Sequence, residues 1–209
     1  MRTGEAVDAI LLAAGFSKRF GHANKLLVPF QGKPLARHTL ELVSSLGLFH
    51  RIFFITAAAA VQALAEGLPV TVIHNRRPEQ GQRESIRLGV SASAGAYYMF
   101  FPCDQPLLDG DTIRRLLALR RAGCIVQPAF AGVPGTPAIF SASFREELLS
   151  LGPEAHPRDI KRRHPEAVLT LPLAEASALM DIDEPDMLKA LASRRGDITG
   201  EAAIPLPHQ

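Results

Sequence analysis

The chain has 209 residues, of which 47% are hydrophobic and 21% are charged, and its formal net charge is +2 at pH 7. That length predicts one sizeable domain, and so small a net charge argues against nucleic acid or an anionic membrane as partner. The two cysteines, Cys103 and Cys124, do not suggest a disulfide framework. No apolar run approaches the ~20 residues of a membrane-spanning helix. Acidic residues precede the first short apolar run, unlike in a secretory signal, so a cytoplasmic location is expected.

Six apolar runs bounded by turn residues predict strands buried on both faces. They cover residues 9–13, 52–56, 70–73, 97–101, 125–128 and 168–171. Between them, helices are predicted from after Pro34 to Gly47, and over 58–65, 83–92 and 109–123, the last with an acidic cap. This alternation predicts an α/β fold, with a mostly parallel sheet covered by helices on both faces. We expect one domain over 1–194 and a frayed, proline-bearing tail over 195–209.

The loop after the first strand is rich in small and positive residues, within LLAAGFSKRFGHANKLL. Ligands of open parallel sheets bind beyond the carboxyl ends of the strands, where this loop begins. Gly15 and Gly21 allow close approach, so that backbone amides could surround an anion. Ser17 adds a hydroxyl, and Arg19 and Lys25 could supply charge to a phosphate. The spacing matches neither the G-x-G-x-x-G dinucleotide fingerprint nor a P-loop, and a solvated basic loop is the alternative.

A carboxylate follows the fourth predicted strand, in FFPCDQPLLDGD. Asp104 would be out of place after so apolar a strand unless it binds something, and Mg²⁺ takes oxygen ligands and bridges to phosphates. A helix cap is the alternative role, but Asp109 or Asp111 already fills that position before TIRRLL. Cys103 could act as a nucleophile, yet no histidine partner is indicated, so a small buried strand residue is the favoured interpretation.

Two alternating acids lie near the C-terminus, in MDIDEPDMLKAL. In an extended segment Asp181 and Asp183 face the same side, so one of them could join Asp104 at a metal. Alternatively, Asp183 caps a helix that starts around Glu184. Both interpretations stay open at the level of sequence.

Three further segments carry weaker signals. In HNRRPEQGQRESIRLGV, Gly81, Gln82 and Ser85 start a helix and could make polar contacts to a base or ribose. GVPGTPAIF, with its glycines and prolines before a short strand, suggests a rigid loop that could form one wall of a site. This segment and HNRRPEQGQRESIRLGV could instead be simple turns. PRDIKRRHP predicts a solvated helix face, from which Arg158 and Lys161 could meet an anionic substrate.

Five motifs, taken in order over residues 9–188, resemble the molybdenum cofactor cytidylyltransferase group of MobA-like nucleotidyltransferases. They are LLAAGFSKRFGHANKLL, GQRESIRLGV, PCDQP, GVPGTPAIF and DIDEPDML. The resemblance implies a Rossmann-like α/β domain, a Mg²⁺-bound nucleoside triphosphate, and transfer of its nucleotidyl group to a phosphate on a pterin cofactor. It implies catalytic roles for Arg19, Lys25 and Asp104, and metal binding by Asp104 and Asp183. Nucleotide binding is implied for Ala13, Ala14, Gly15, Phe16, Ser17, Lys25, Asn75, Gln82, Ser85 and Pro102.

The Ala13-Ala14-Gly15 version of the first motif resembles cytidine-using members, whereas guanosine-using members more often have Gly-Gly there. We therefore expect CTP, or another nucleoside triphosphate, as donor and a molybdopterin-type cofactor as acceptor. The sequence departs from the family pattern at two places, both expected on the acceptor side of the site. Thr136 stands where the family often has histidine, and GPEAHPRD replaces a Gly-Asp-x-Gly-x-Arg pattern. A different phosphorylated acceptor, or a non-catalytic cofactor carrier or maturation chaperone, stays open. A molybdoenzyme or its chaperone is a further expected partner.

Overall fold

A computed structural model describes residues 5–15, 24–182 and 187. The strands are β1 (Val7–Ala13), β2 (Pro29–Phe30), β3 (Lys33–Pro34), β4 (Arg51–Thr56), β5 (Thr71–His74), β6 (Tyr97–Pro102), β7 (Ile125–Phe130), β8 (Val133–Pro134), β9 (Ala138–Ser141) and β10 (Val168–Pro172). The helices are α1 (Leu35–Ser45), α2 (Ala59–Gln62), α3 (Gln82–Ala92), α4 (Gly110–Leu119), α5 (Arg145–Leu149) and α6 (Pro157–Arg163). None of the helices in these ranges is long and apolar enough to cross a bilayer. The predicted tail lies outside the described residues.

Seven strands lie side by side in the order β10-β7-β9-β6-β1-β4-β5, and β8 pairs with β7. Both β4 and β6 run parallel to β1, β5 runs parallel to β4, and β10 runs parallel to β7. By contrast, β9 runs antiparallel to both of its neighbours. The predicted mostly parallel sheet in a single domain is therefore confirmed. The alternating sequence pattern did not reveal the reversed strand.

Each predicted strand overlaps an observed one, but burial on both faces is wrong for β5 and β10. Thr71 and His74 in β5, and Thr170 and Pro172 in β10, are exposed. These two strands are the edges of the sheet. An edge strand has a single neighbour, so helices packed over the centre of the sheet leave part of it uncovered.

Side chains of β1 alternate between two hydrophobic cores, one on each face of the sheet. Leu11 packs in a cluster that includes Leu40 of α1 and Ile113 of α4. Ile10 packs in a second cluster, on the side of α3, α5 and α6. On that side, a Cβ atom at Gly89 would collide with Ile10 Cγ2, so α3 approaches β1 as closely as only glycine permits. Helices therefore cover both faces, as predicted.

The helix α4 begins at the predicted cap and ends earlier than predicted. The carboxylate of Asp109 accepts hydrogen bonds from Thr112 N at 2.8 Å and from Thr112 Oγ1 at 2.9 Å, so Asp109 rather than Asp111 is the N-cap. The predicted extension to Gly123 is wrong. Arg120 already has an extended backbone, with ψ of 136°, and Gly123, with φ of +73°, then turns the chain into β7.

The helix α6 forms within the segment predicted to be a solvated helix face. Arg158 is exposed, in agreement with that prediction. Lys161 contradicts it, because its Nζ donates to Gln127 Oε1 of β7 at 2.6 Å and burial lowers the pKa of its ammonium group. The helical pattern alone does not indicate that a polar strand residue lies beneath this lysine.

A buried carboxylate near the amino end of β1 holds the turn between α3 and β6. Asp8 accepts hydrogen bonds from Ser93 Oγ at 2.6 Å, Gly95 N at 2.9 Å and Ala94 N at 3.2 Å. Its other oxygen lies 3.2 Å from His50 Nδ1. Sequence analysis did not identify this cluster.

Candidate active site

The carboxyl ends of the central strands bring several loops together. In the parallel register, Ala13 at the end of β1 pairs with Thr56 of β4, and Leu12 pairs with Pro102 of β6. The chain therefore leaves β1 and β6 at the same edge of the sheet. This edge is where open α/β sheets bind their ligands.

Lys25 and Asp104, which are 79 positions apart in the chain, form an ion pair at this edge. Lys25 Nζ donates to Asp104 Oδ2 at 2.6 Å and to the carbonyl oxygen of Ile182 at 3.2 Å. The two side chains are 15% and 18% exposed, so water screens their charges less than at an open surface. Asn24 Oδ1 accepts from Leu26 N at 3.0 Å and caps the 3-10 turn that carries Lys25. Because Leu26 is buried in the core, this turn fixes the origin of the lysine side chain.

The second carboxylate oxygen of Asp104 has a different environment. Oδ1 is buried and makes no hydrogen bond within the described part of the chain. Such an oxygen is costly to bury unless a donor or a cation binds it. Divalent cations such as Mg²⁺ prefer carboxylate oxygens, so Asp104 fits the role of a metal ligand. In the described ranges no cluster of three or more acidic, histidine or cysteine residues could hold a metal, and Asp183, the second predicted ligand, lies outside them.

Cys103 precedes this carboxylate and packs in the core. Burial, together with the nearby charge of Asp104, raises the pKa of the Cys103 thiol well above its ordinary value. A reactive thiol requires the opposite shift, because the thiolate is the nucleophile. The structure therefore agrees with the interpretation of Cys103 as a small buried residue.

Gln105 links three segments around Asp104, and sequence analysis did not identify it. Its side chain is buried, and Nε2 lies 2.7 Å from Thr136 Oγ1, 2.9 Å from Asp181 Oδ1 and 3.2 Å from the carbonyl oxygen of Leu179. The amide nitrogen has two N–H donors, which these three acceptors share. The only sequence signal for Gln105 was its position as a polar residue between Asp104 and Pro106.

The segment before residue 183 is held against the loop of Asp104 through its backbone. Ile182 N donates to the carbonyl oxygen of Asp104 at 2.9 Å, and the Ile182 side chain is fully buried beside Leu35. On the other side, a Cβ atom at Gly135 would lie 2.8 Å from Leu179 Cδ1. The loop that carries Thr136 therefore packs directly on the segment that carries Asp181.

Two residues predicted to bind nucleotide, Asn75 and Ser85, are buried and bond to each other. Asn75 Nδ2 donates to Ser85 Oγ at 3.1 Å, and Asn75 Oδ1 accepts from Arg77 N at 2.9 Å. These bonds shape the loop that leads into α3. At its end, Gly81 has φ of +72°, and Gln82 is exposed as the first residue of the helix. Nucleotide binding by these residues stays a prediction.

The other predicted nucleotide-binding residues differ in exposure. Ala13 is buried, Ala14 and Pro102 are half-buried, and Gly15 is exposed. A Cβ atom at Gly15 would meet no described atom within 4 Å, so space alone does not require glycine there. The predictions for Phe16, Ser17 and Arg19 fall outside the described residues.

The profile of the MobA-like NTP transferase domain matches residues 9–168, so the chain belongs to that family and is a nucleotidyltransferase. It is 26% identical to the molybdenum cofactor cytidylyltransferase of Escherichia coli (strain K12), over 87% of this chain and 93% of that protein. It is also 28% identical to the nicotine blue oxidoreductase of Paenarthrobacter nicotinovorans, over 88% of this chain and 96% of that protein. The fold is similar to that of Rv0371c from Mycobacterium tuberculosis H37Rv, with 23% identity, a TM-score of 0.75, and 90% and 98% of the two chains covered. Rv0371c is also known as a complex with manganese.

Proposed function

We propose that this nucleotidyltransferase moves CMP from CTP to the terminal phosphate of a molybdopterin-type cofactor, with release of pyrophosphate and with Mg²⁺ as its metal. The observation that carries the proposal is the ion pair of Lys25 and Asp104, whose second carboxylate oxygen is buried without a partner among the described residues. The choice of CTP and of a pterin acceptor draws on Ala13-Ala14-Gly15 and on the likeness to the E. coli cytidylyltransferase. The complex of Rv0371c with manganese supports a divalent ion.

In this reaction an oxygen of the acceptor phosphate attacks the α-phosphorus, the bond from that phosphorus to the β-phosphate oxygen breaks, and pyrophosphate leaves. The acceptor oxygen is already ionised, so no side chain has to act as a general base. Bringing two anions together is the main barrier, and positioning with charge neutralisation lowers it. The Lys25 ammonium, fixed by Asp104 Oδ2 and the Ile182 carbonyl oxygen, stabilises the charge of the leaving pyrophosphate. We assign Arg19 the same role, and a Mg²⁺ ion on Asp104 would polarise phosphate oxygens.

The acceptor side of the site is proposed to lie beside Thr136. Its hydroxyl oxygen accepts from Gln105, which leaves the hydroxyl hydrogen for another acceptor atom. Thr136 also replaces the histidine that the family often has, so the acceptor meets a smaller polar group here. A cytoplasmic location and a molybdoenzyme, or its chaperone, as partner remain predictions.

The decisive experiment measures pyrophosphate release from each of the four nucleoside triphosphates, with Mg²⁺ and a pterin phosphate. We expect release from CTP that requires the pterin, and calorimetric binding of CTP that is tighter than that of GTP. Release with a sugar or alcohol phosphate instead would assign a different acceptor. Tight binding of the pterin without release would assign a carrier or chaperone, and a preference for GTP would contradict the choice of nucleotide.

A redox function is the competing proposal, because one relative, aligned over 96% of its own length, is named an oxidoreductase. The spacing of Gly15 and Gly21 does not match the dinucleotide fingerprint, which weakens a role for a nicotinamide dinucleotide. Oxidation of a reduced nicotinamide by the purified protein, without pyrophosphate release from any triphosphate, would favour the competing proposal.

A further inference from the structure

A cleft of about 200 Å³ lies apart from the loop of Asp104, between the start of α3 and the end of α5. Its walls are positively charged on the side of α3 and apolar at Leu149 and Leu151. None of the residues that surround Asp104 lines it. The charged wall consists of three arginines and one glutamate: Arg77, Arg83, Arg87 and Glu84.

The glutamate holds two of the arginines in place. Arg77 Nη2 donates to Glu84 Oε1 at 2.8 Å, while Arg87 donates through Nε to Oε2 and through Nη2 to Oε1, both at 2.8 Å. The Glu84 side chain is only 5% exposed, and its bonds to both arginines lower the pKa of its carboxyl group. A buried, ionised carboxylate with paired donors orients planar guanidinium groups well. The arginines themselves stay accessible, with 51% of the Arg77 side chain and 40% of the Arg87 side chain exposed.

Arg83 adds a charge that Glu84 does not neutralise. Its Nε and Nη2 donate to the carbonyl oxygen and the side-chain oxygen of Gln80, which are both neutral. The cleft is thus lined by three guanidinium groups but only one carboxylate. None of the three Nη1 groups donates to a described residue, so each keeps two N–H donors for a ligand.

We propose that this cleft is a second anion-binding site, which takes a phosphate-class oxyanion such as inorganic phosphate or pyrophosphate. Arginine forks match the geometry of phosphate oxygens, and the excess positive charge supplies the attraction. The volume lies below the roughly 300 Å³ at which pockets for larger organic ligands begin, so a small anion fits better than a whole nucleotide. This site does not depend on the proposed transfer reaction.

The site is connected to the predicted nucleotide loop through Arg77. Its side chain lines the cleft, while its backbone N–H bonds Asn75, which in turn bonds Ser85. A bound anion therefore restrains the segment 75–85. Amide hydrogen exchange in that segment should therefore slow when the cleft is filled.

The experiment is a calorimetric titration of inorganic phosphate into the metal-free protein. Arg83→Met removes a charge of the cleft without touching the bonds of Glu84, and we expect the dissociation constant for phosphate to rise about tenfold. Arg77→Met is the second variant, in case the first one folds poorly. Arg115→Met is the matched control, because Arg115 lies on α4 and is 49% exposed, and we expect no change in its phosphate binding.

Lys25→Met separates this site from the crevice of Asp104. Phosphate binding that survives Lys25→Met and weakens in Arg83→Met supports the proposal. Binding that Lys25→Met abolishes and Arg83→Met leaves unchanged would place the anion at the crevice and overturn it. The absence of saturable phosphate binding in the wild-type protein would overturn it as well, whatever the outcome of the pyrophosphate assay.

Discussion

Two aspartates at opposite ends of neighbouring strands show how differently one kind of side chain can be used. Asp8 lies near the amino end of β1, whereas Asp104 follows the carboxyl end of β6, which pairs with β1. Asp8 is fully buried and receives three hydrogen bonds from the turn after α3. Asp104 shares Oδ2 with Lys25 and keeps Oδ1 buried without a hydrogen bond to any described residue.

The difference separates a structural carboxylate from one that is ready for a ligand. The groups that bond the Asp8 carboxylate all belong to the folded chain itself. A substitution of Asp8 should therefore change the free energy of unfolding. The Asp104 oxygen that no described residue bonds is a cost to the folded protein, which a bound cation would remove. We therefore expect a substitution at Asp8 to lower stability and a substitution at Asp104 to lower turnover.

The largest effect is expected at Asp8. Asp8→Asn places an amide nitrogen or a weaker acceptor against three donors, and should lower the free energy of unfolding by about 3 kcal/mol. Denaturant unfolding measures this loss, and turnover per folded molecule should stay unchanged. Asp111→Asn is the control, since the Asp111 side chain is 76% exposed. A loss at Asp8 no larger than at Asp111 would refute the structural role.

The reverse result is expected at Asp104. Asp104→Asn keeps the shape but loses the charge, so it should weaken Mg²⁺ binding and lower turnover at least about 100-fold, or ~2.7 kcal/mol in the transition state. The free energy of unfolding should change little. Wild-type turnover at limiting Mg²⁺ would show that the metal assignment is wrong.

The same substitution at Asp183 distinguishes its two interpretations. If Asp183 is the second ligand, Asp183→Asn should cost about as much turnover as Asp104→Asn. If it mainly caps a helix, the loss of turnover should be smaller and accompanied by a loss of stability of about 1 kcal/mol. Turnover at a range of Mg²⁺ concentrations and denaturant unfolding on the same samples separate these outcomes.

A smaller effect is expected at Lys25, the partner of Asp104. Lys25→Ala should lower turnover more than about tenfold, or ~1.4 kcal/mol, because positive charge near the leaving pyrophosphate is lost. Lys33→Ala is the control, since Lys33 pairs with Glu41 at a side-chain exposure of 44%. An unchanged turnover rate in folded Lys25→Ala protein would show that Lys25 has no catalytic role and belongs to a solvated basic loop.

The smallest effect is expected next to Asp104, at Gln105. Gln105→Met removes the bonds to Thr136 and Asp181 and should raise the KM for the acceptor about fivefold, or ~1 kcal/mol, while the KM for CTP changes little. Thr136→Val should have a similar effect, and the double variant should lose less than the sum of both. Equal changes in both KM values would instead indicate a general disturbance of the site.

Much of the fold and part of the site could be read from local sequence. The six apolar runs predicted strands because buried strands need continuous apolar residues, and the cap was narrowed to Asp109 or Asp111 because the residues after them are helical. Asp104 stood out for a similar reason, as a carboxylate directly after an apolar strand. Each of these signals lies within a few residues of the feature that it predicts.

Contacts between distant segments could not be read in this way. Gln105 contacts Thr136, 31 positions away, and Asp181, 76 positions away, and neither spacing carries a periodic signal. The inward turn of Lys161 likewise depends on Gln127, 34 positions earlier in the chain. For Asp8 the sequence shows only an acid beside apolar residues, and its donors come from a turn more than 80 positions later.

The sequence by itself determined the class of fold and the membership of a nucleotidyltransferase family, because periodicity and motifs are properties of neighbouring residues. Only the tertiary structure decided that β9 runs against β6 and β7, that Lys25 meets Asp104, and that three arginines line one cleft together with Glu84. Strand direction and pairing follow from how the whole chain packs its two cores, and side chains far apart in sequence meet only once that packing is complete.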